Sequence, residues 1–330
     1  MRTNLAGIMR AFSSIPARLL AVAVAAAVAA LVLTGCSPTG SESTRITPKH
    51  QVLYKAFQTY PNIPVVPNVR YTTVGGTVLR LDVCLPNVAK GTTVAPRPAI
   101  LSIHGGSWAH GDKSNVDWRS VCQWLASTGY VAASVDYSLA PGARYPVAIH
   151  ELDKAVEWLR EPAQVKRFSI DPTLIGVFGG SAGGNLAALV GTEGSGALDS
   201  GHRVAAVAEL SGPTNLTATG EEKPDLMPYQ LSYLGCANLV NCKAAREASP
   251  LYHVDSSDPP FFVGHSTNER IPMSQSALFV AKMRAHGINV TFVTVKGQLH
   301  SIAMLDRAMR TRIAAFFHAK LVHTLIGTVK

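Results

Sequence analysis

Ser181 sits in the run Gly179-Gly180-Ser181-Ala182-Gly183, which fits the pattern G-x-S-x-G. A serine hydroxyl is a poor nucleophile until a base takes its proton, so the pattern has chemical meaning only with partners. The mostly apolar stretch 173–178 precedes it, and "AGGNLAALVG" after it reads as the start of a helix. A strand running through a tight turn into a helix would push the Ser181 hydroxyl forward. Glycine at 179 and 183 would remove side chains where strand and helix nearly touch. The helix N-terminus would favour developing negative charge. Acyl transfer further requires a base, a carboxylate that orients it, and donors for the oxyanion. Eleven histidines compete for the first role.

Other chemistries fit the glycines less well. A dinucleotide loop needs glycine at i, i+2 and i+5. Counting from Gly179 meets Ser181, and counting from Gly180 meets Ala182. Upstream, Gly106 to Ser114 ("GSWAHGDKS") nearly spells a phosphate loop, but Asp112 intervenes between Gly111 and Lys113. The carboxylate would sit where phosphate charge belongs. No Cys/His spacing indicates zinc. The expectation is a site with no metal and no organic cofactor.

The elements that must position Ser181 follow from the pattern of the chain. "NVRYTTVGGTVLRLDVCLP" reads as two strands joined by Gly75-Gly76. Beyond it, strands at 99–104, 130–137, 174–180, 203–210, 259–266 and 288–295 alternate with helical stretches. Those helices are predicted over 118–128, 145–161, 182–191, 274–287 and 300–325. Such alternation predicts a mostly parallel central sheet with helices on both faces. Residues 65–330 read as one domain. The irregular segment 213–257, with Pro, Gly and two cysteines, reads as a short lid-like insertion or pocket wall.

The combination "HGGSW…GDKS", "DYSLAPGARYP" and "GGSAGG" resembles the α/β-hydrolases, specifically the hormone-sensitive-lipase-like and feruloyl-esterase-like carboxylesterases. The resemblance covers most of residues 65–320 and implies the α/β-hydrolase fold. It implies an oxyanion hole from the N–H groups of Gly105, Gly106 and Ala182, with Ser107 where many relatives carry a third glycine. His104 is expected to brace that loop. The family order is nucleophile, acid, histidine. That order implies His300, in "VKGQLHSIAM", as the base, with His265 in reserve. The acid is expected after "FFVGHS", where "HSTNERIP" offers Glu269. Relatives usually carry Asp there, in a loop one residue longer. Glu209, closing an earlier strand, is the alternative acid. Asp136, Asp255 and Asp258 read as structural or turn residues, and His318 and His323 as structural or solvated.

The implied reaction is hydrolysis of short- to medium-chain acyl esters through an acyl-enzyme. Its substrate would be a small-molecule, lipid or polymer ester. A serine peptidase or amidase on the same fold is the alternative. A non-catalytic surface-binding lipoprotein is a further one, against which the ordered Ser, carboxylate and His count.

The ends of the chain carry other information. Residues 1–18 hold three arginines and no acid, and Leu19 to Leu33 is an unbroken apolar run. As a helix that run would reach roughly 22 Å, short of a ~30 Å hydrocarbon core. It therefore reads as a signal peptide, residues 1–35. "LTGC" resembles a bacterial lipobox, with Cys36 lipidated. No arginine pair marks twin-arginine export, so the general secretory route is expected. Residues 36–64 read as a tether. The expected location is the cell envelope, anchored by lipid to the outer face of the cytoplasmic membrane. Loss of three arginines would lower the formal charge from +9 to +6. Without a basic block or a stacking motif, that charge points to no nucleic-acid partner. Four cysteines remain after Cys36. Cys236 and Cys242 flank a short polar loop that a bridge would close. Cys84 and Cys122 would form a second bridge or remain two buried thiols.

Overall fold

The computed structural model describes residues 58–89, 91–220 and 223–321. Cys36, the signal segment 1–35 and the tether as far as residue 57 lie outside the described residues. Eight strands form one sheet: β1 (Val65–Val74), β2 (Thr77–Cys84), β3 (Arg97–Ile103), β4 (Val131–Val135), β5 (Ile170–Gly180), β6 (Ala206–Leu210), β7 (Phe261–Ser266) and β8 (Val290–Val295). Their order is β1-β2-β4-β3-β5-β6-β7-β8. β1 pairs antiparallel with β2, and β2 with β4; every other pairing is parallel. Gly75 and Gly76 make the first hairpin turn with φ of 54° and 82°, the two left-handed residues that a tight hairpin requires.

Among the described residues, eight α-helices accompany the sheet. They are α1 (Val116–Ser127), α2 (Val147–Arg160), α3 (Pro162–Phe168), α4 (Ala182–Thr192), α5 (Met227–Leu234), α6 (Lys243–Glu247), α7 (Met273–Ala285) and α8 (Arg307–Leu321). Side chains alternate across a strand, and the core divides accordingly. Leu101, Val177, Val207 and Val263 face a cluster shared with α2, α4 and α7. Ile100, Phe178, Ala208 and Phe262 face a second cluster shared with α1 and α8. The inner strands β4, β6 and β7 are buried on both sides because both sides are covered, whereas β8 at the edge has no fully buried residue. Phe178 shows the packing, with its ring 6.3 Å from that of Trp118 and 6.0 Å from that of Trp124.

The helix predicted over 300–325 is shorter and interrupted. His300 is followed by a 3-10 turn (Ser301–Met304), and α8 starts only at Arg307. Asp306 explains the break, since its Oδ1 accepts the Met309 N–H at 2.8 Å and so caps the new helix. Residues 322–330 lie outside the described residues. Both cysteine pairs are disulfides, Cys84–Cys122 and Cys236–Cys242. The first closes a loop with a sequence separation of 38. In the chain-entropy model a loop of that size adds about 4 kcal/mol. Among the described residues, no helix is long and apolar enough to cross a membrane. No group of three or more His, Cys, Asp or Glu among them could hold a metal ion.

Candidate active site

The strand order turns at β3, which lies between β4 and β5. At such a switch point, loops leaving the strands' carboxyl ends diverge and leave a crevice. Ile103 and Gly179 are in register there, so the loop after β3 and the turn after β5 emerge side by side. The residues after β6, β7 and β8 emerge along the same edge.

Ser181 joins β5 to α4 with φ 57° and ψ −127°, a strained conformation for a residue with a side chain. Its N–H donates to the Leu210 carbonyl at 2.8 Å, and its own carbonyl accepts the Asn185 N–H at 3.0 Å. The turn can be this sharp because of two glycines. A Cβ on Gly179 would collide with the Gly183 carbonyl and come within 2.9 Å of Ala187 Cβ. One on Gly183 would collide with the Ile103 carbonyl and sit 2.5 Å from that of His104.

His300 lies beyond β8, with Nε2 2.8 Å from Ser181 Oγ. Its Nδ1 is hydrogen-bonded to Glu269 Oε2. Glu269 carries a fully buried side chain. Thus Ser181, Glu269 and His300, which follow three different strands, meet in one line of hydrogen bonds. Two serines fix the histidine's backbone. Ser266 Oγ donates to Leu299 O at 2.5 Å, and the Ser301 N–H donates to Ser211 Oγ at 2.9 Å.

His265 is not at the nucleophile; it stands behind the acid. Its Nε2 is 3.0 Å from Ile271 O and 3.1 Å from Glu269 Oε1. A carbonyl only accepts, so Nε2 carries the proton and Nδ1 accepts from Ser276 Oγ at 2.8 Å. Burial holds the His265 pKa below the usual histidine value, against the opposing pull of Glu269 and the Ile271 carbonyl. Lys223 donates to the Glu269 main-chain carbonyl at 2.8 Å. Glu209 makes no bond to His300; its Oε2 accepts the Gly212 N–H at 2.7 Å. These supporting residues, Ser211, Ser266, His265 and Lys223, carry no spacing signal in the sequence.

The loop after β3 abuts the elbow. A Cβ on Gly105 would lie 2.7 Å from Gly180 O and 3.2 Å from Ser181 Cβ. Gly106 has φ 129°, and Ser107 and Trp108 follow with φ 53° and 56°. His104 braces this loop, stacked on Tyr137 at 4.4 Å with Nδ1 2.9 Å from Gly105 O. Burial holds its pKa below the usual value. Trp108 stacks on Tyr233 at 4.7 Å and donates its indole N–H to Asn185 Oδ1 at 3.2 Å. Ala182 is the first residue of α4, and its N–H has no intrahelical acceptor. Lys113 of the near phosphate loop is committed elsewhere. Its ammonium is buried at 3.0 Å from Asp82 Oδ1 and 2.9 Å from Asn68 Oδ1.

Ser181 and His300 open on a small cleft. Trp108, Ile271, Pro213 and Leu226 supply its apolar lining, the last two from the segment 213–257. Arg270 lies at one side, its guanidinium 3.0 Å from Asp225.

This strand order, with a serine elbow after β5, defines an α/β-hydrolase fold. The BD-FAE family model matches residues 81–283, and the chain belongs to that family. It is similar to the esterase LipC of Mycobacterium tuberculosis, 30% identical over 234 residues, which are 66% of this chain and 56% of LipC. The chain thus spans about half the length of the curated relatives it matches. Among solved structures, a truncated carbohydrate esterase from gut microbiota superposes with a TM-score of 0.66 at 23% identity, covering 78% of this chain and 96% of that one. Esterase 2 of the planctomycete Thermogutta terrifontis gives 0.63 at 23% identity, covering 82% and 96%. That esterase has also been solved with butyrate bound, with propionate bound and phosphonylated by sarin.

Proposed function

We propose that this protein is a serine carboxylesterase that hydrolyses short acyl esters through an acyl-enzyme. One observation carries the reading: Ser181 Oγ lies 2.8 Å from His300 Nε2, while Glu269 holds the opposite ring nitrogen. His300 takes the Ser181 proton as the hydroxyl attacks the ester carbonyl. The buried Glu269 carboxylate keeps the proton of the resting ring on Nδ1 and stabilises the imidazolium that forms. The N–H groups of Gly105, Gly106 and Ala182 receive the oxyanion. His300 then protonates the leaving alcohol. In the second half it activates water, which releases the acid and restores Ser181. The small cleft, the esterase relatives and the butyrate- and propionate-bound neighbour support a short acyl group.

The test is hydrolysis of chromogenic acetyl, butyryl and octanoyl esters, beside matched amides, by the purified protein, Ser181→Ala and Glu269→Gln. Acetyl and butyryl esters should be cleaved fastest. Ser181→Ala should lose at least about 10⁴-fold in kcat, and Glu269→Gln roughly 10³- to 10⁴-fold. Cleavage of amides alone would move the protein to the peptidases.

The chain's place in the cell belongs to the same proposal. Residues 1–35 direct export and Cys36 carries lipid; the tether expected over 36–64 is shorter, because Ile63 is buried in the core and Gln58 and Tyr60 accept hydrogen bonds from Arg310, so residues 58–64 belong to the catalytic domain. Two disulfides support an oxidising compartment.

A further inference from the structure

Glu209 is the buried acid that the triad leaves unused. It lies near the end of β6 with no exposed surface. Its carboxyl group takes one hydrogen bond, from the Gly212 N–H to Oε2 at 2.7 Å. Among the described residues Oε1 has no partner. Gly212 is itself wedged against α4, where a Cβ would lie 2.6 Å from the Gly184 carbonyl carbon and 2.8 Å from Asn185 N.

The turn held in this way is where the parts of the site join. Leu210 O accepts the Ser181 N–H at 2.8 Å. Ser211, at φ 55°, accepts the Ser301 N–H beside His300 at 2.9 Å. Pro213 O accepts Asn185 Nδ2 at 2.9 Å, and Asn185 in turn holds the Trp108 indole of the donor loop. Nucleophile, base and donor loop therefore each hang on one of four consecutive residues.

We propose that Glu209 is a positioning residue for the reaction, locking the Leu210–Pro213 turn so that Ser181, His300 and the donor loop keep a common register. The inference rests on the triad assigned above. Glu209 acts in its neutral form. Around it, β7 supplies His265, the loop after β7 supplies Glu269, and His300 stands beyond Glu269. α7 carries Lys282, which donates to Leu251 O, and Arg284. α4, the 3-10 turn after His300 and the adjacent Gly179-Gly180 of β5 contribute no titratable group. Burial raises the Glu209 pKa to about 8, with the Gly212 N–H pulling it down and Glu269 pushing it further up. Above that pH a second buried negative charge appears beside Glu269, with no cation among the described residues placed to meet it, and the turn gives way to let water in.

The sign for stability follows. Between about 4.3, the value in an unfolded chain, and about 8 the folded chain holds a proton that the unfolded one has lost. Stability due to Glu209 therefore falls as pH rises across that window and levels off above it.

The experiment measures kcat and KM for 4-nitrophenyl acetate, and Tm, from pH 6 to 10 in the wild type, Glu209→Gln and Glu209→Ala, with Ser181→Ala as control. Gln can still accept the Gly212 N–H but cannot ionise. Glu209→Ala should lose at least tenfold in kcat with KM within twofold, and Glu209→Gln should recover most of that loss. The wild type should lose kcat with an alkaline midpoint near 8, and its Tm should fall from pH 6 to about 8 and level off above; both effects should be absent from Glu209→Gln. The proposal fails if Glu209→Ala keeps wild-type kcat, or if Glu209→Gln keeps the wild-type alkaline limb. If Glu209→Ala does not fold, the comparison of pH profiles with Glu209→Gln still decides. An active Ser181→Ala would instead sink the triad.

Discussion

Ser181 is held in its strained conformation from three sides: the Leu210 carbonyl below, the start of α4 ahead, and the Gly105 backbone alongside. The acid is held as firmly. Glu269 uses one oxygen on His300, and the other lies 3.1 Å from His265 Nε2, whose proton goes to Ile271 O. His265→Leu should remove the bonds to Ile271 O and Ser276 Oγ that hold the loop carrying Glu269. A lost neutral hydrogen bond costs about 0.5–1.5 kcal/mol, so kcat should fall roughly 2- to 10-fold with little change in KM. Equal kcat in the variant would show that His265 only fills space. The glycine pattern and the strand before it made Ser181 readable as a candidate. Glu269 and His300 became readable through the family resemblance, whose order places the acid and then the histidine after later strands. Ser211, Ser266 and the place of His265, expected only as a reserve base, were not, because each acts through a partner brought near only by the folded sheet.

At the scale of elements, the strands and their alternation with helices were written in apolar runs and glycine stops. The inner strands β4, β6 and β7 are buried on both faces, so their sequences are rich in apolar residues. The final helix was misread because Ile302, Met304 and Leu305 continue an apolar pattern through residues that form a 3-10 turn and a break. The sign of that break was Asp306, a capping residue inside the run. The near phosphate loop is resolved by its neighbours. Lys113 closes a buried cage with Asp82, and Arg119 holds the second oxygen of Asp82 at 2.6 Å. Which partner a buried lysine takes depends on β2 and α1 lying beside it, a fact of topology rather than of local sequence. The bridge between Cys84 and Cys122 is of the same kind, since it joins β2 to α1 and has no local signature.

At the scale of the whole molecule, a hydrolase domain with two disulfides follows a segment that reads as an export signal. Cys36→Ser should shift the protein from the membrane fraction to the soluble envelope fraction while leaving ester hydrolysis unchanged. Wild-type partition in that variant would contradict lipid anchoring. The central claim is that one residue, Ser181, becomes covalently acylated under the control of His300 and Glu269. The measurement that tests it most directly is peptide mass spectrometry after inactivation with an activated alkyl phosphonate ester. The account predicts one phosphonyl group per chain, on Ser181, appearing in step with the loss of ester hydrolysis and slowed at least about 10³-fold in Glu269→Gln. A phosphonyl group on another residue, or full hydrolysis after Ser181 is modified, would contradict it.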